Sequence, residues 1–134
     1  PGLHSLLGLN NEHGFAEMLH DGEEIAPQHY HNGDDSEFLV LPVGDSIQPN
    51  ELIQVEKVAQ VLNNLKKQAD LLILDAPALS SADSTTFAAR ADGVLLVIKS
   101  GHTSSSSAIG AAQQLRRQGT QILGIVLNCS AEDL

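Results

Sequence analysis

The chain has 134 residues, 42% of them hydrophobic, which predicts a folded globular protein with an aliphatic core and argues against a disordered segment. Its formal net charge of −10 argues against a nucleic-acid binder and against a polybasic membrane-surface segment, because both need cations. The single cysteine excludes an internal disulfide, and no apolar run reaches the about 18–20 residues that span a bilayer, so a cytoplasmic protein without direct membrane insertion is expected.

The first 36 residues predict little regular structure. Residues 2–9 form a short, mainly apolar stretch, and residues 14–19 predict a turn or two of helix. The polar segment 20–36, rich in His, Gly, Asp and Glu, is typical of an exposed, mobile loop. A loop of this length is uncommon inside a compact domain unless it has a function.

From residue 37 onwards, apolar runs alternate with amphipathic stretches. Four short runs without polar alternation are typical of buried strands, at residues 38–43, 71–74, 93–98 and 121–127. Between them, apolar residues at helical spacing predict helices that begin near Pro49-Asn50-Glu51, with Asn50 as the N-cap, and that occupy residues 82–91 and 103–118.

This alternation of strands and helices predicts an α/β fold. We expect a parallel sheet of about four strands with helices on both faces. The prediction is one domain over residues 1–134, in which residues 1–36 are irregular or helical and residues 37–134 form the βαβαβαβ part.

Asp75 is the clearest candidate functional residue of the sequence. It directly follows the apolar run 71–74, and ligands of parallel α/β sheets lie beyond the carboxyl ends of the strands. Mg²⁺ prefers oxygen ligands and keeps several waters, so a carboxylate at that edge predicts a Mg²⁺ site contacted through water. The structural alternative is an aspartate that caps the next helix.

Two further polar residues are candidates for the same region. Asp83, eight residues after Asp75, is either a second acidic group of the site or the N-cap of the helix predicted over residues 82–91. Asn128 follows the last predicted strand, and its side-chain amide offers the donor and the acceptor that suit the edge of a base. The alternative for Asn128 is an ordinary turn residue.

Five motifs occur in a fixed order: residues 41–44 (LPVG), 49–52 (PNEL), 70–77 (DLLILDAP), 91–97 (ADGVLLV) and 123–128 (LGIVLN). This ordered set resembles the bacterial tyrosine kinases, the cytoplasmic domains of capsular and exopolysaccharide biosynthesis proteins. The opening residues 1–9 look like the segment that follows the second acidic phosphate-site motif of that family. The family belongs to the MinD/ParA-like deviant P-loop ATPases, so the resemblance implies a partial P-loop NTPase domain.

The resemblance implies roles for four residues. Asp75 matches the Walker B aspartate that helps to organise Mg²⁺, and Asp83 matches an acidic position after it, so both are expected at the catalytic site. Asn128 matches a position that contacts adenine, and Pro77 shares the Asp-x-Pro motif and is expected to help bind the nucleotide. The implied cofactors of the parent protein are Mg²⁺ and ATP.

The resemblance also implies a cellular setting. The parent would be an ATP-dependent tyrosine autokinase that regulates capsular or exopolysaccharide biosynthesis. It would form a homo-oligomer, work in the cytoplasm or as a peripheral protein at the inner face of the cell membrane, and partner a membrane polysaccharide co-polymerase. A nucleic-acid partner is not expected.

The chain departs from the family pattern in three places. It has no Gly-x-x-x-x-Gly-Lys-[Ser/Thr] loop to hold the β- and γ-phosphates, so we expect a fragment that neither binds ATP tightly nor transfers phosphate by itself. Ala78 stands where family members commonly have a second proline, and no tyrosine-rich tail is present.

Three alternatives stay open on these grounds. One is a MinD/ParA-like ATPase without a tyrosine substrate, and another is a degenerate, non-catalytic interaction module. The third is a receiver domain with Asp75 as phospho-acceptor, although the acidic pair Asp34-Asp35 precedes the first predicted strand instead of following it.

Overall fold

The computed structural model describes residues 2–33, 36–45 and 55–129. The chain forms two compact units, Pro1–Asp70 and Leu71–Leu134. The helices and strands of the first unit are α1 (Leu3–Leu7), α2 (Phe15–His20), β1 (Gln28–Asn32), β2 (Ser36–Val40) and α3 (Val55–Leu65). Those of the second unit are α4 (Ala82–Ala88), β3 (Val94–Lys99), α5 (Ser105–Arg117) and β4 (Ile122–Asn128). The prediction of one domain over residues 1–134 stays a prediction.

The two strands of the first unit form an antiparallel hairpin, in which Tyr30 pairs with Phe38 and His31 with Glu37. The loop predicted over residues 20–36 is therefore wrong in its second half, and the strand predicted over 38–43 starts earlier, ends at Val40 and is not parallel. Segments adjacent in sequence pair as a hairpin, whereas a parallel pair needs a long crossover. The first strand of the hairpin is mostly polar and contains no apolar run, so the hydrophobic pattern does not predict it.

The start of α2 is fixed against the chain that follows the hairpin. Successive N–H groups of Phe15 and Ala16 donate hydrogen bonds of 2.9 and 2.8 Å to the carbonyl oxygens of Pro42 and Val43. These bonds satisfy donors that the first turn of a helix leaves unpaired. The short helix predicted over residues 14–19 is confirmed.

Glu17 is a buried carboxylate in this part of the first unit, with only 3% of its surface exposed. It accepts a 2.6 Å hydrogen bond from the Gly14 N–H, which completes the cap of α2. Gly44 has φ of +87°, and the Glu17 carboxylate occupies the space that a Cβ there would need. Glycine suits this position, because a side chain here would be strained by the dihedral and would have to displace the buried Glu17 carboxylate.

Helix α3 confirms the predicted helical spacing from Val55 onwards, since its apolar face is buried. The buried apolar side chains of the first unit are Ala16, Met18, Val40, Val58, Val61, Leu62 and Leu65. The predicted helix start at Pro49-Asn50-Glu51, the motif at 49–52 and the acidic pair Asp34-Asp35 lie outside the described residues.

In the second unit, β3 and β4 pair in parallel, with Leu96 beside Ile125 and Lys99 beside Asn128. Helix α5 connects the two strands. Its Leu115 is fully buried in a core with Leu96 of β3 and Ala88 of α4. Partly buried residues complete this core: Leu79, Val94, Ile98, Ala111, Ala112 and Ile122. The strands predicted at 93–98 and 121–127 and the helix predicted at 103–118 are confirmed within a residue or two.

Helix α5 ends two residues before a glycine. Gly119 has φ of +76°, and the Thr120 N–H donates a 3.0 Å hydrogen bond back to the Leu115 carbonyl. A glycine in the left-handed region lets the chain turn back onto the last carbonyls of the helix.

The mixed α/β class agrees with the sequence, but the predicted sheet does not. In the described residues the parallel sheet has two strands instead of about four. Residues 71–74 form no strand, and Leu71 and Ile73 are 76% and 80% exposed. Among the described residues of this pair, Leu95 and Val97 on β3 are exposed. An apolar run becomes a strand only where a neighbour takes up its N–H and C=O groups.

Candidate functional site

Asp75 lies in an irregular segment, residues 71–78, and its side chain is exposed. Its predicted place at the end of a buried strand is therefore wrong. The exposed carboxylate is open to a hydrated cation, and a single oxygen-donor group that leaves most ligands to water and phosphate suits Mg²⁺. The donor chemistry of Asp75 thus fits the implied ion.

A residue that the sequence did not single out fixes the chain next to Asp75. Ser84 of α4 is 2% exposed, and its hydroxyl oxygen lies 2.7 Å from the Pro77 carbonyl oxygen and 3.0 Å from that of Ala78. Pro77, a predicted nucleotide-binding position, is itself exposed. A serine whose acceptors are backbone carbonyls belongs to no sequence motif, and α4 also contains the polar residues Asp83, Thr85 and Thr86, so the sequence does not distinguish Ser84.

Asp83 lies in the first turn of α4 and is half-buried. The N-cap of this helix is Ser81, with an extended backbone, so the capping alternative for Asp83 is wrong. A carboxylate in the first turn is favourable because it faces the positive end of the helix dipole. The helix predicted over residues 82–91 is confirmed but ends at Ala88.

Asn128 ends β4 beside Lys99, the last residue of β3, so the carboxyl ends of the two parallel strands meet here. Its carbonyl accepts a 2.9 Å hydrogen bond from the Ser100 N–H. Its side-chain oxygen accepts one of 2.8 Å from the N–H of Cys129, which adopts φ of +56°. The amide is thus oriented by its own turn while the side chain stays exposed.

The structure brings together some of the predicted residues. It joins the segment of Asp75 and Pro77 to α4, and it places Asn128 beside Lys99. Within the described ranges, no hydrogen bond or ion pair links Asp75 with Asn128. Among the same residues, no group of three or more His, Cys, Asp or Glu side chains is arranged to hold a metal ion. None of the described helices has the length and apolar composition needed to cross a membrane.

Solved structures identify the class of the fold. The chain matches the kinase domain of the Escherichia coli tyrosine kinase Etk with a TM-score of 0.78 and 26% identity, over 93% of this chain and 49% of that one. It matches the VpsO kinase domain with a TM-score of 0.72 and 25% identity, over 96% of this chain and 64% of that one. The fold is that of P-loop kinase domains, as the resemblance implied.

Curated sequences identify the family. The chain is 30% identical over 129 residues to the tyrosine-protein kinase Etk of Escherichia coli K12, covering 93% of this chain and 17% of the relative. It is 28% identical over 133 residues to the succinoglycan biosynthesis transport protein ExoP of Rhizobium meliloti, covering 96% of this chain and 17% of the relative. No protein-family model matches the chain. The chain is a homologue of the bacterial tyrosine kinases of capsule and exopolysaccharide biosynthesis, and it corresponds to part of their kinase domain.

Proposed function

We propose that this chain is part of an ATP-dependent protein-tyrosine autokinase domain that regulates capsular or exopolysaccharide biosynthesis. The observation that carries the proposal is the alignment with Etk over 129 residues, supported by the fold match to the Etk kinase domain. The relative ExoP, named for succinoglycan biosynthesis, supports the polysaccharide setting.

In this proposal Asp75 organises the Mg²⁺ of Mg·ATP through a water, and Asp83 adds negative charge to the same site. Asn128 contacts the adenine, and Pro77 shapes the nucleotide site beside Asp75. The exposed side chains of Asp75 and Asn128 support these roles, since neither is taken up by the protein interior. Mg²⁺ would neutralise the charge that develops on the phosphates.

The cellular setting is part of the same proposal. The kinase would act as a homo-oligomer in the cytoplasm or as a peripheral protein at the inner face of the membrane, beside a membrane polysaccharide co-polymerase. The 134 residues contain no Gly-Lys-[Ser/Thr] phosphate loop, so tight ATP binding would need such a loop from outside these residues.

Calorimetry tests the proposal on two proteins, this chain and the full-length product of its gene. We expect tight Mg·ATP binding only to the full-length product. There Asp75→Asn should weaken Mg²⁺-dependent ATP binding by about tenfold to a hundredfold, the usual effect of losing an outer-shell ligand partner. Asp70→Asn is the matched control, because it removes the same charge from an exposed position outside the site.

The outcomes separate the competing functions. Tight binding to the 134-residue chain would contradict the need for a phosphate loop. Binding and turnover of ATP without any phosphotyrosine on the full-length product would favour a MinD/ParA-like ATPase. Absence of ATP binding to both proteins would leave a non-catalytic interaction module.

A further inference from the structure

The segment that carries Asp75 is held at the start of α4 by hydrogen bonds to its last carbonyls. Residues 71–78 belong to no helix or strand. Among the described contacts, the Ser84 hydroxyl approaches the Pro77 and Ala78 carbonyls, and the Ser81 N–H donates a 2.9 Å hydrogen bond to the Ala78 carbonyl as well. The carbonyl of Ala78 is therefore approached by two donors from the start of α4.

The direction of the Ser84 hydroxyl is informative. A buried hydroxyl must find an acceptor. Ser84 is the third residue of α4, so the carbonyls three and four residues earlier already lie at or before the N-cap Ser81. The Ser84 hydroxyl reaches carbonyls six and seven residues earlier and so links the segment that precedes the helix to the first turn of α4.

Proline makes this attachment effective. The ring of Pro77 fixes its φ near −65°, so holding its carbonyl restricts the remaining backbone freedom of the residue. Asp75 lies two residues before Pro77. A short, exposed segment with one restrained end has fewer conformations open to its carboxylate.

We propose that Ser84 is a positioning residue for the Asp75-Ala76-Pro77 motif: its buried hydroxyl holds the Pro77 and Ala78 carbonyls against α4 and so places the Asp75 carboxylate. The ordering of the motif stands on the contacts of this chain alone. Its consequence for Mg²⁺ rests on the proposed function.

Ser84→Val and Ser84→Thr test the role of the hydroxyl. The two substitutions introduce side chains of the same shape, and only threonine keeps the hydroxyl, so their comparison cancels the cost of the added bulk. The readout on this chain is the ¹⁵N order parameter of the Ala76 and Ala78 amides. We expect the threonine variant to stay near the rigid value of about 0.85 and the valine variant to fall towards the flexible range below about 0.6.

Ser81→Ala is the control on the same helix start, because the Ser81 side chain makes no capping hydrogen bond. We expect it to leave both order parameters unchanged. Equal order parameters in the valine and threonine variants would overturn the proposal. If both variants lose the native amide spectrum, Ser84→Ala and Ser84→Cys provide the same comparison with smaller side chains, and equal order in those two and the wild type would also overturn it.

A second readout separates this inference from the proposed function. In the full-length product, we expect Ser84→Val to weaken Mg·ATP binding, as Asp75→Asn does. We expect Ser84→Thr to bind Mg·ATP about as tightly as the wild type. If Asp75→Asn has no effect while the motif still loses order in the valine variant, the nucleotide function fails and the positioning role stands. If Asp75→Asn weakens binding while Ser84→Val changes neither order nor affinity, the positioning role fails.

Discussion

The two pairs of strands in this chain are stabilised in different ways. The β1–β2 hairpin joins segments that are neighbours in sequence, with the Tyr30 and Phe38 ring centroids 5.0 Å apart on one face and His29 bonded to Glu37 on the other. The parallel β3–β4 pair is built from aliphatic runs and depends on the buried Leu115 of α5. The first pair therefore rests on local, partly polar contacts, and the second on packing between residues distant in sequence.

The largest effect should come from the core beneath the parallel pair. Leu115→Ala removes a side chain with no exposed surface and leaves a cavity against Leu96. We expect the free energy of unfolding to fall by about 2–5 kcal/mol, measured by urea denaturation followed by circular dichroism.

Ile109→Ala on the same helix is the control for this substitution. Ile109 is 58% exposed, so its truncation should change the free energy of unfolding by no more than about 0.5 kcal/mol. Similar losses for the two variants would show that the parallel pair does not depend on a buried core at Leu115.

The contrast also explains which elements could be predicted from sequence. The uniformly apolar runs of β3 and β4 were recognised, because both strands contribute to one aliphatic core. The equally apolar run 71–74 was predicted as a strand and is not one, since apolarity does not specify a hydrogen-bonding neighbour. The polar strand β1 was missed because its partner is the next segment of chain and its pattern has no apolar stripe.

The residues of the candidate site also differ in whether the sequence indicates them. The sequence singles out Asp75 and Asn128, because each follows an apolar run and has a fixed place in an ordered set of motifs, and their roles stay predictions. Ser84 was missed because it bonds to main-chain carbonyls, which every residue type provides equally. A contact between a side chain and a backbone carbonyl has no residue-type signature in a single sequence.

A smaller effect is expected from the aromatic pair of the hairpin. The coupling free energy between Tyr30 and Phe38 should be about 0.5–1 kcal/mol in a double-mutant cycle of alanine variants, since the two rings are in tilted contact. The measurement is urea denaturation of the four proteins of the cycle.

The cycle of Tyr30 with Leu39 is the matched comparison for that pair. Leu39 neighbours Phe38 on β2 but pairs with His29, so its side chain lies on the other face of the hairpin. Its coupling with Tyr30 should be close to zero. Equal coupling in the two cycles would mean that the hairpin is stabilised by its backbone pairing and not by the ring contact.

The smallest effect concerns the opposite face of the hairpin and depends on pH. The hydrogen bond from His29 is the largest cause of a pKa of Glu37 below its ordinary value; desolvation opposes it, and the charges of His29 and His31 add to the lowering. A carboxyl group with a lowered pKa in the folded state stabilises the fold above the pKa of the unfolded chain. That contribution is lost as the pH falls through the lowered folded value.

Wild type and Glu37→Gln should therefore differ slightly in urea midpoint at pH 6 and converge towards pH 3. Because Glu37 is exposed, the difference stays small and its charge-dependent part weakens with added salt. A carboxyl ¹³C titration should show the pKa of Glu37 rising towards its ordinary value in His29→Gln. The effect of Leu115→Ala, which involves no ionisable group, should persist at both pH values. If it changed with pH as the Glu37 difference does, the polar contacts of the hairpin and the core at Leu115 would be energetically coupled, and their contributions to stability could not be separated.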